Sequence, residues 1–224
     1  MRRKAAAGAL GVLLVVLIGS AASAQTLTDV YVSEWGQVLG TVFKFDPGYP
    51  SYALVKGNGV LVWVDIEIPG AFVELNTFGN VSLVERTSPS DISYEDGRII
   101  RIGDLPFEYD TGRVTKIGDL SFDYYGLNLS ETGRINQIGD VPIVIEDGFL
   151  RRLGDVQFEY ENGLMQKIDD LPFAYENGRV QKIGDMEFDY DMGRLKNAEG
   201  EIPGVDLKIS SVVEFRRSLR QAQQ

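Results

Sequence analysis

The chain repeats itself on a short period. Glycine opens successive units at Gly97, Gly112, Gly133, Gly148, Gly163, Gly178 and Gly193, with spacings of 15, 21, 15, 15, 15 and 15 residues. This constrains the fold more than any other feature. A unit so short cannot bury an apolar face alone, so it must stack on its neighbours. The third position of each unit is apolar, from Ile99 and Val114 to Val180 and Leu195, and the sixth is aliphatic, from Ile102 and Ile117 to Ile183. Gly-Asp follows, as in Gly103-Asp104 and Gly184-Asp185, with Asp169-Asp170 the one departure. The chain then alternates, as in Met186-Glu187-Phe188-Asp189-Tyr190, so Met, Phe and Tyr share one face of a strand.

Each unit is punctuated twice. Asn162-Gly163 or Asn177-Gly178 between short β-type runs is a hairpin signal, because glycine takes positive φ without steric cost. Three residues ending in glycine also suit a type I turn with a bulge. Gly-Asp suits a tight turn with glycine first. The expectation is an antiparallel meander of roughly fourteen to sixteen strands. Degenerate units flank it, one ending in Ile92–Asp96 and one running from Gly193 to about Ile209. Val180 and Ile183, three apart, do not fit a plain strand; a bulge and a partly buried second face, carrying Pro106, Pro142 and Pro172, are both expected. The 21-residue step carries six extra residues, Gly126 to Glu131, a candidate contact loop.

The two ends read differently. Met1-Arg2-Arg3-Lys4, an apolar run to Ile18 and the small-x-small phrase Ala22-Ser23-Ala24 read as a signal peptide cleaved before Gln25. The dense run Val12–Ile18 is short for a bilayer span, which needs about 20 residues. The expected mature chain has 224 less 24, or 200, residues, no membrane span, and a periplasmic or extracellular home. Removing three basic residues leaves 19 Lys plus Arg against 33 Asp plus Glu, a net charge of −14. Nucleic acid is therefore not an expected partner. There is no cysteine, hence no disulfide, thiol nucleophile or lipid-modified cysteine, and no histidine, the commonest general base. Residues 25–81 are β-rich but not periodic, with a hairpin at Gly57-Asn58-Gly59, and read as a cover continuous with the array of 82–209. At the far end, Ser211-Val212-Val213-Glu214 is a capping phrase, and Val212, Phe215 and Leu219 form a helical stripe beside Arg216, Arg217 and Arg220. A short helix and tail over 210–224 is expected.

The junctions Tyr190-Asp191-Met192-Gly193-Arg194-Leu195 and Tyr109-Asp110-Thr111-Gly112-Arg113-Val114 resemble the core of the YD, or RHS, repeats. Glu replaces Asp after Tyr94, Tyr160 and Tyr175, and the first and last of these keep Gly-Arg. The resemblance spans roughly half the chain. Proteins of that family are secreted or surface hairpin arrays that wrap into shells. The unit here is shorter, so what the resemblance implies is a hairpin array outside the cytoplasm rather than a shell around a cargo.

No residue set forms a catalytic, cofactor-binding or metal-binding motif. The Phe and Tyr stripe could stack on sugars, but it shares a face with Leu and Ile, which is the pattern of a core. The Gly-Asp carboxylates could bind calcium, but they lack the spacing of a calcium loop, and Asp at a turn bonds its own backbone. Glu108, Asp123, Glu159 and Asp189 could pair for glycoside hydrolysis, yet they recur by repetition near Lys116 and Lys182, as cross-strand charge pairs do. The reading is an all-β, exported repeat protein: a curled antiparallel meander of hairpins, open or with barrel-like or propeller-like closure, and a short C-terminal helix. Its expected role is a non-catalytic envelope or extracellular scaffold, with a cell-envelope polysaccharide or another envelope protein as partner. The alternative is a periplasmic carbohydrate-active enzyme using paired carboxylates.

Overall fold

A computed structural model describes residues 24–86, 91–126 and 131–210. The expected leader as far as Ser23, most of the Gly126–Glu131 loop and the helix expected after Ser210 lie outside the described residues. Within them every regular element is a strand.

The non-periodic region builds a sheet of its own. Strands β1 (Thr26–Val32), β2 (Val38–Phe45), β3 (Ser51–Lys56), β4 (Leu61–Ile68), β5 (Ala71–Asn76) and β6 (Val81–Arg86) pair in chain order as antiparallel neighbours. Strand β21 (Asp206–Ile209) returns from the far end and lies parallel to β1, making seven strands. The repeats form a second sheet of fourteen strands, also in chain order, from β7 (Ile92–Glu95) to β20 (Arg194–Glu199). Neither sheet closes: β6 and β21 border the first, and β7 and β20 the second. The barrel-like or propeller-like alternative is thus replaced by two open layers, whose inner faces supply the apolar contact that closure would have provided.

The layers share one core. Val30, Phe43, Ile66 and Leu75 from the first sheet pack in the same cluster as Ile117, Phe122, Leu153, Phe158 and Val180 from the array. Phe43 and Phe158 meet edge to face at 5.1 Å between ring centres. The recurring aromatic stripe is core: Phe107, Phe122, Phe158, Phe173 and Phe188 are all buried. The first segment is therefore a second layer along the array, not a cap on its end.

The two punctuation marks form different turns. In the pair β17 (Leu171–Glu176) and β18 (Arg179–Ile183), Glu176 faces Arg179, so the loop is only Asn177-Gly178. Both loop residues have positive φ, 52° and 75°. That is the two-residue I′ turn, whose twist matches the strands, and not the three-residue turn with a glycine bulge. Gly-Asp turns have positive φ at the first position only, as Gly184 does at 56°. Asp169, in the position glycine holds elsewhere, adopts φ 48°.

A bulge resolves the odd spacing within each unit. Tyr175 faces Val180 while Ala174 faces Lys182, leaving Gln181 as the extra residue. The extra residue returns Val180 and Ile183 to one face, and both are fully buried. The bulge suffices. The second face is not a core: Pro106 and Pro172 are exposed and Pro142 is half-buried.

Candidate functional site

The bulge also opens the sheet. Across the I′ turn, β17 and β18 pair at four positions, but β18 and β19 (Met186–Asp191) pair only at Lys182–Glu187 and Ile183–Met186. Beyond those two pairs the strands part, leaving backbone groups that need partners. Turns of the first sheet fill the gaps. The N–H groups of Val180 and Leu195 donate to the carbonyls of Gly36 (2.8 Å) and Glu34 (2.7 Å), in the β1–β2 turn. Leu150 and Met165 donate to Gly59 (2.8 Å) and Gly57 (3.1 Å), in the β3–β4 turn. Val114 and Ile135 donate to Gly79 (3.0 Å) and Thr77 (2.7 Å), in the β5–β6 turn. Each turn thereby stitches two neighbouring repeat units.

A tyrosine lies beneath each stitch. A Cβ on Gly36 would fall 2.5 Å from Tyr190, on Gly59 2.7 Å from Tyr160 and on Gly79 2.4 Å from Tyr124, so only glycine fits. The Tyr190 and Tyr124 hydroxyls donate to the carbonyls of Val180 (2.5 Å) and Val114 (2.6 Å), and Tyr109 donates to Ile99 (2.7 Å). Tyr160 and Tyr175, beside the central stitch, have buried hydroxyls without a bonded partner. Burial raises all five phenols above the ordinary tyrosine value; nearby arginines oppose the shift at Tyr109, Tyr124, Tyr160 and Tyr190. The recurring Gly-Arg phrase has its explanation here. Arg98 lies over the Tyr109 ring at 5.9 Å and Arg113 over Tyr124 at 5.7 Å, each reaching forward within its own unit.

The residues between the stitching carbonyls point outward. They are Trp35, Asn58 and Phe78, and Trp35 and Phe78 are 49% and 46% exposed. Arg194 stacks on Trp35 at 5.3 Å and pairs with Glu34. Arg134 stacks on Phe78 at 5.1 Å and pairs with the buried Glu131 at 2.8 Å. At the central turn the array supplies the ring instead: Phe149 packs on Tyr160, and Arg151 lies over both at 5.8 and 5.7 Å. Strands sit about 4.8 Å apart, so the outer turns lie about 19 Å apart. The edge is a fixed row of aromatic and guanidinium groups. Its sequence signal was three glycine-terminated turns outside the repeats, at Gly36, Gly59 and Gly79. Only the middle one stood out as a hairpin, and nothing local shows that a turn carbonyl enters another sheet.

A second feature lies at the opposite ends of the strands. The Asp169-Asp170 turn borders three adjoining clefts of about 520, 420 and 270 Å³. The first brings Asp155, Glu159, Lys167, Asp169 and Asp170 together beside Gln25. Gln25 accepts a bond from the Asp155 N–H at 2.8 Å, and Asp169 accepts one from Gln157. Of the four sequence-candidate acids, only Glu159 lines this cleft; Glu108, Asp123 and Asp189 are exposed on other strands. Glu108 and Glu159 face Lys116 and Lys167 in register. Among the described residues no group of three or more His, Cys, Asp or Glu is arranged to hold a metal ion. No helix there is long and apolar enough to cross a membrane.

No family model matches the chain, and no curated protein matches it. The repeated hairpins carry nothing specific to YD repeats.

Proposed function

We propose that the protein is an exported, non-catalytic scaffold that binds a cell-envelope polysaccharide along its stitched turn edge. The observation that carries this is the pair of half-exposed rings, Trp35 and Phe78, on turn tips whose flanking carbonyls are bonded into the other sheet. Large rings exposed to water cost free energy unless something covers them, and sugar faces rich in C–H groups stack on such rings. Fixing the tips beforehand lowers the ordering cost of binding. The leader ending at Ala24 and the resemblance to YD repeats support a place outside the cytoplasm. The test is co-sedimentation of the chain from Gln25 to Gln224 with isolated envelope polysaccharides. Saturable binding that Trp35→Ala and Phe78→Ala each weaken about tenfold, or about 1.4 kcal/mol, is expected. Binding indifferent to both substitutions would sink the assignment of the edge.

The second reading is a carbohydrate-active enzyme working in the cleft at Asp169-Asp170. It is favoured by Glu159 and Asp170 lining one concave site. Release of oligosaccharides, abolished by Glu159→Gln or Asp170→Asn, would establish it in place of the scaffold.

A further inference from the structure

The outer face of the first sheet carries a second, smaller apolar cluster. Tyr31 and Leu54 pack there with Leu39, Val42, Val62 and Trp63, apart from the shared core. Alternation along the strands fixes the face: Val30 and Val32 point to the core around Tyr31, and Ala53 and Val55 do so around Leu54. Register sets Val42, Leu54 and Trp63 side by side across β2, β3 and β4. Asp65 and Glu74 face each other in the adjoining row, and Asp65 accepts a bond from the Trp63 indole at 3.2 Å. Tyr31 and Leu54 are only 3% exposed, as enclosed as the core, while the four around them are half-buried. The Lys208 ammonium lies over the Tyr31 ring at 5.3 Å, whereas the in-plane neighbours of Leu54 cover its sides and not its tip. The strip is one side of a small core.

We infer that the C-terminal segment Ser211–Gln224 is the layer over this strip. The chain reaches Ser210 beside it: the Ser210 N–H donates to the carbonyl of Val32, one residue from Tyr31, at 2.9 Å. Ala24 and Gln25 precede β1 at its other end. The segment has 14 residues, 211 to 224, and as the helix its sequence predicts would extend about 21 Å. From β21 across β1, β2 and β3 to β4 is four strand spacings, about 19 Å. Val212, Phe215 and Leu219 supply the apolar stripe. Arg220 would stand about 14 Å along that helix, within side-chain reach of β4, where Asp65 faces Glu74. Length, exit point and apolar stripe match one occupant. The inference is independent of what the turn edge binds.

Trp63 is the reporter. In a Trp35→Phe background it is the sole tryptophan of the chain. Truncation after Ser210 should shift its emission to longer wavelength and raise its quenching by acrylamide, and Phe215→Asp in the full chain should do the same. Unchanged emission and quenching in a folded truncation would overturn the inference. So would a concentration-dependent signal with a dimer in solution, which would mean that a second copy covers the strip. Should the truncation not fold, Val42→Cys with Phe215→Cys decides, since the chain has no other cysteine. An intrachain disulfide on mild oxidation supports the inference, and its absence, with Glu146→Cys and Phe215→Cys as control, refutes it.

Discussion

The two sheets solve the same problem by opposite means. In the array, register is local: a two-residue I′ turn fixes each hairpin, and a bulge aims two apolar residues inward. Each unit could be predicted from the one before it. The cost of that economy is a sheet that gapes between hairpins, with N–H groups facing the gap. The first sheet has no repeat, and its strands pair along nearly their whole length, as β2 and β3 do from Gly40–Lys56 to Phe45–Ser51. Its turns close the gaps the array leaves open. A periodic layer therefore depends on a non-periodic one, and the dependence runs through backbone carbonyls as well as apolar contact.

That dependence can be broken most severely in the shared core. Phe43→Ala or Phe158→Ala should each cost about 3–5 kcal/mol. Because the rings touch, the double variant should cost less than the sum, and denaturant unfolding should remain a single transition. Two separate transitions would show that the layers are independent.

Next come the stitches. Gly59→Ala must place a methyl against Tyr160 at φ +87°, whereas a methyl on Gly163 meets nothing within 4 Å. Left-handed strain of about 1–2 kcal/mol applies to both. Overpacking of about 1–3 kcal/mol adds only at Gly59. Equal melting temperatures for the two variants would argue against the close seating of the turn on the tyrosine.

The tyrosines give a test by pH. Burial raises the folded-state values of Tyr109, Tyr124, Tyr160, Tyr175 and Tyr190 above about 10, the unfolded value. The protonated phenol is then favoured by folding. This stability is complete below pH about 10 and is lost as pH rises through the folded values. A melting temperature that starts to fall only above that pH is the expected profile. Within the set, Tyr124→Phe should lose about 1 kcal/mol with its bond to Val114, while Tyr160→Phe should be neutral or stabilising, since it removes a buried hydroxyl without a partner. Equal losses at both positions would mean that Tyr160 bonds in solution.

The smallest effect belongs to the exposed pair Lys182–Glu187, 3.3 Å apart. A double-mutant cycle there should give less than about 1 kcal/mol, vanishing at high salt.

Much of the array was legible because its determinants are local. Asn177-Gly178 announces a hairpin wherever it stands, and Phe173 and Tyr175 alternate with polar residues as a half-buried strand must. Turn type was not, since a glycine after Asn is compatible with two loop lengths, and only the facing pair Glu176–Arg179 decides between them. The bulge was half legible: the three-residue step from Val180 to Ile183 demands it, but the same step also allows a second buried face. Trp35 and Phe78 gave no sign of a shared edge, because they are 43 residues apart, 35 to 78, in a region without a period.

By itself the sequence determined strand, turn and period, because φ preference, alternation and glycine spacing act over a few residues. Which surface each hairpin presents to which partner was decided only in three dimensions. The stitches join backbone atoms, and a backbone carbonyl carries no mark in the sequence: Gly36 and Val180 are bonded, yet nothing in either residue's identity names the other.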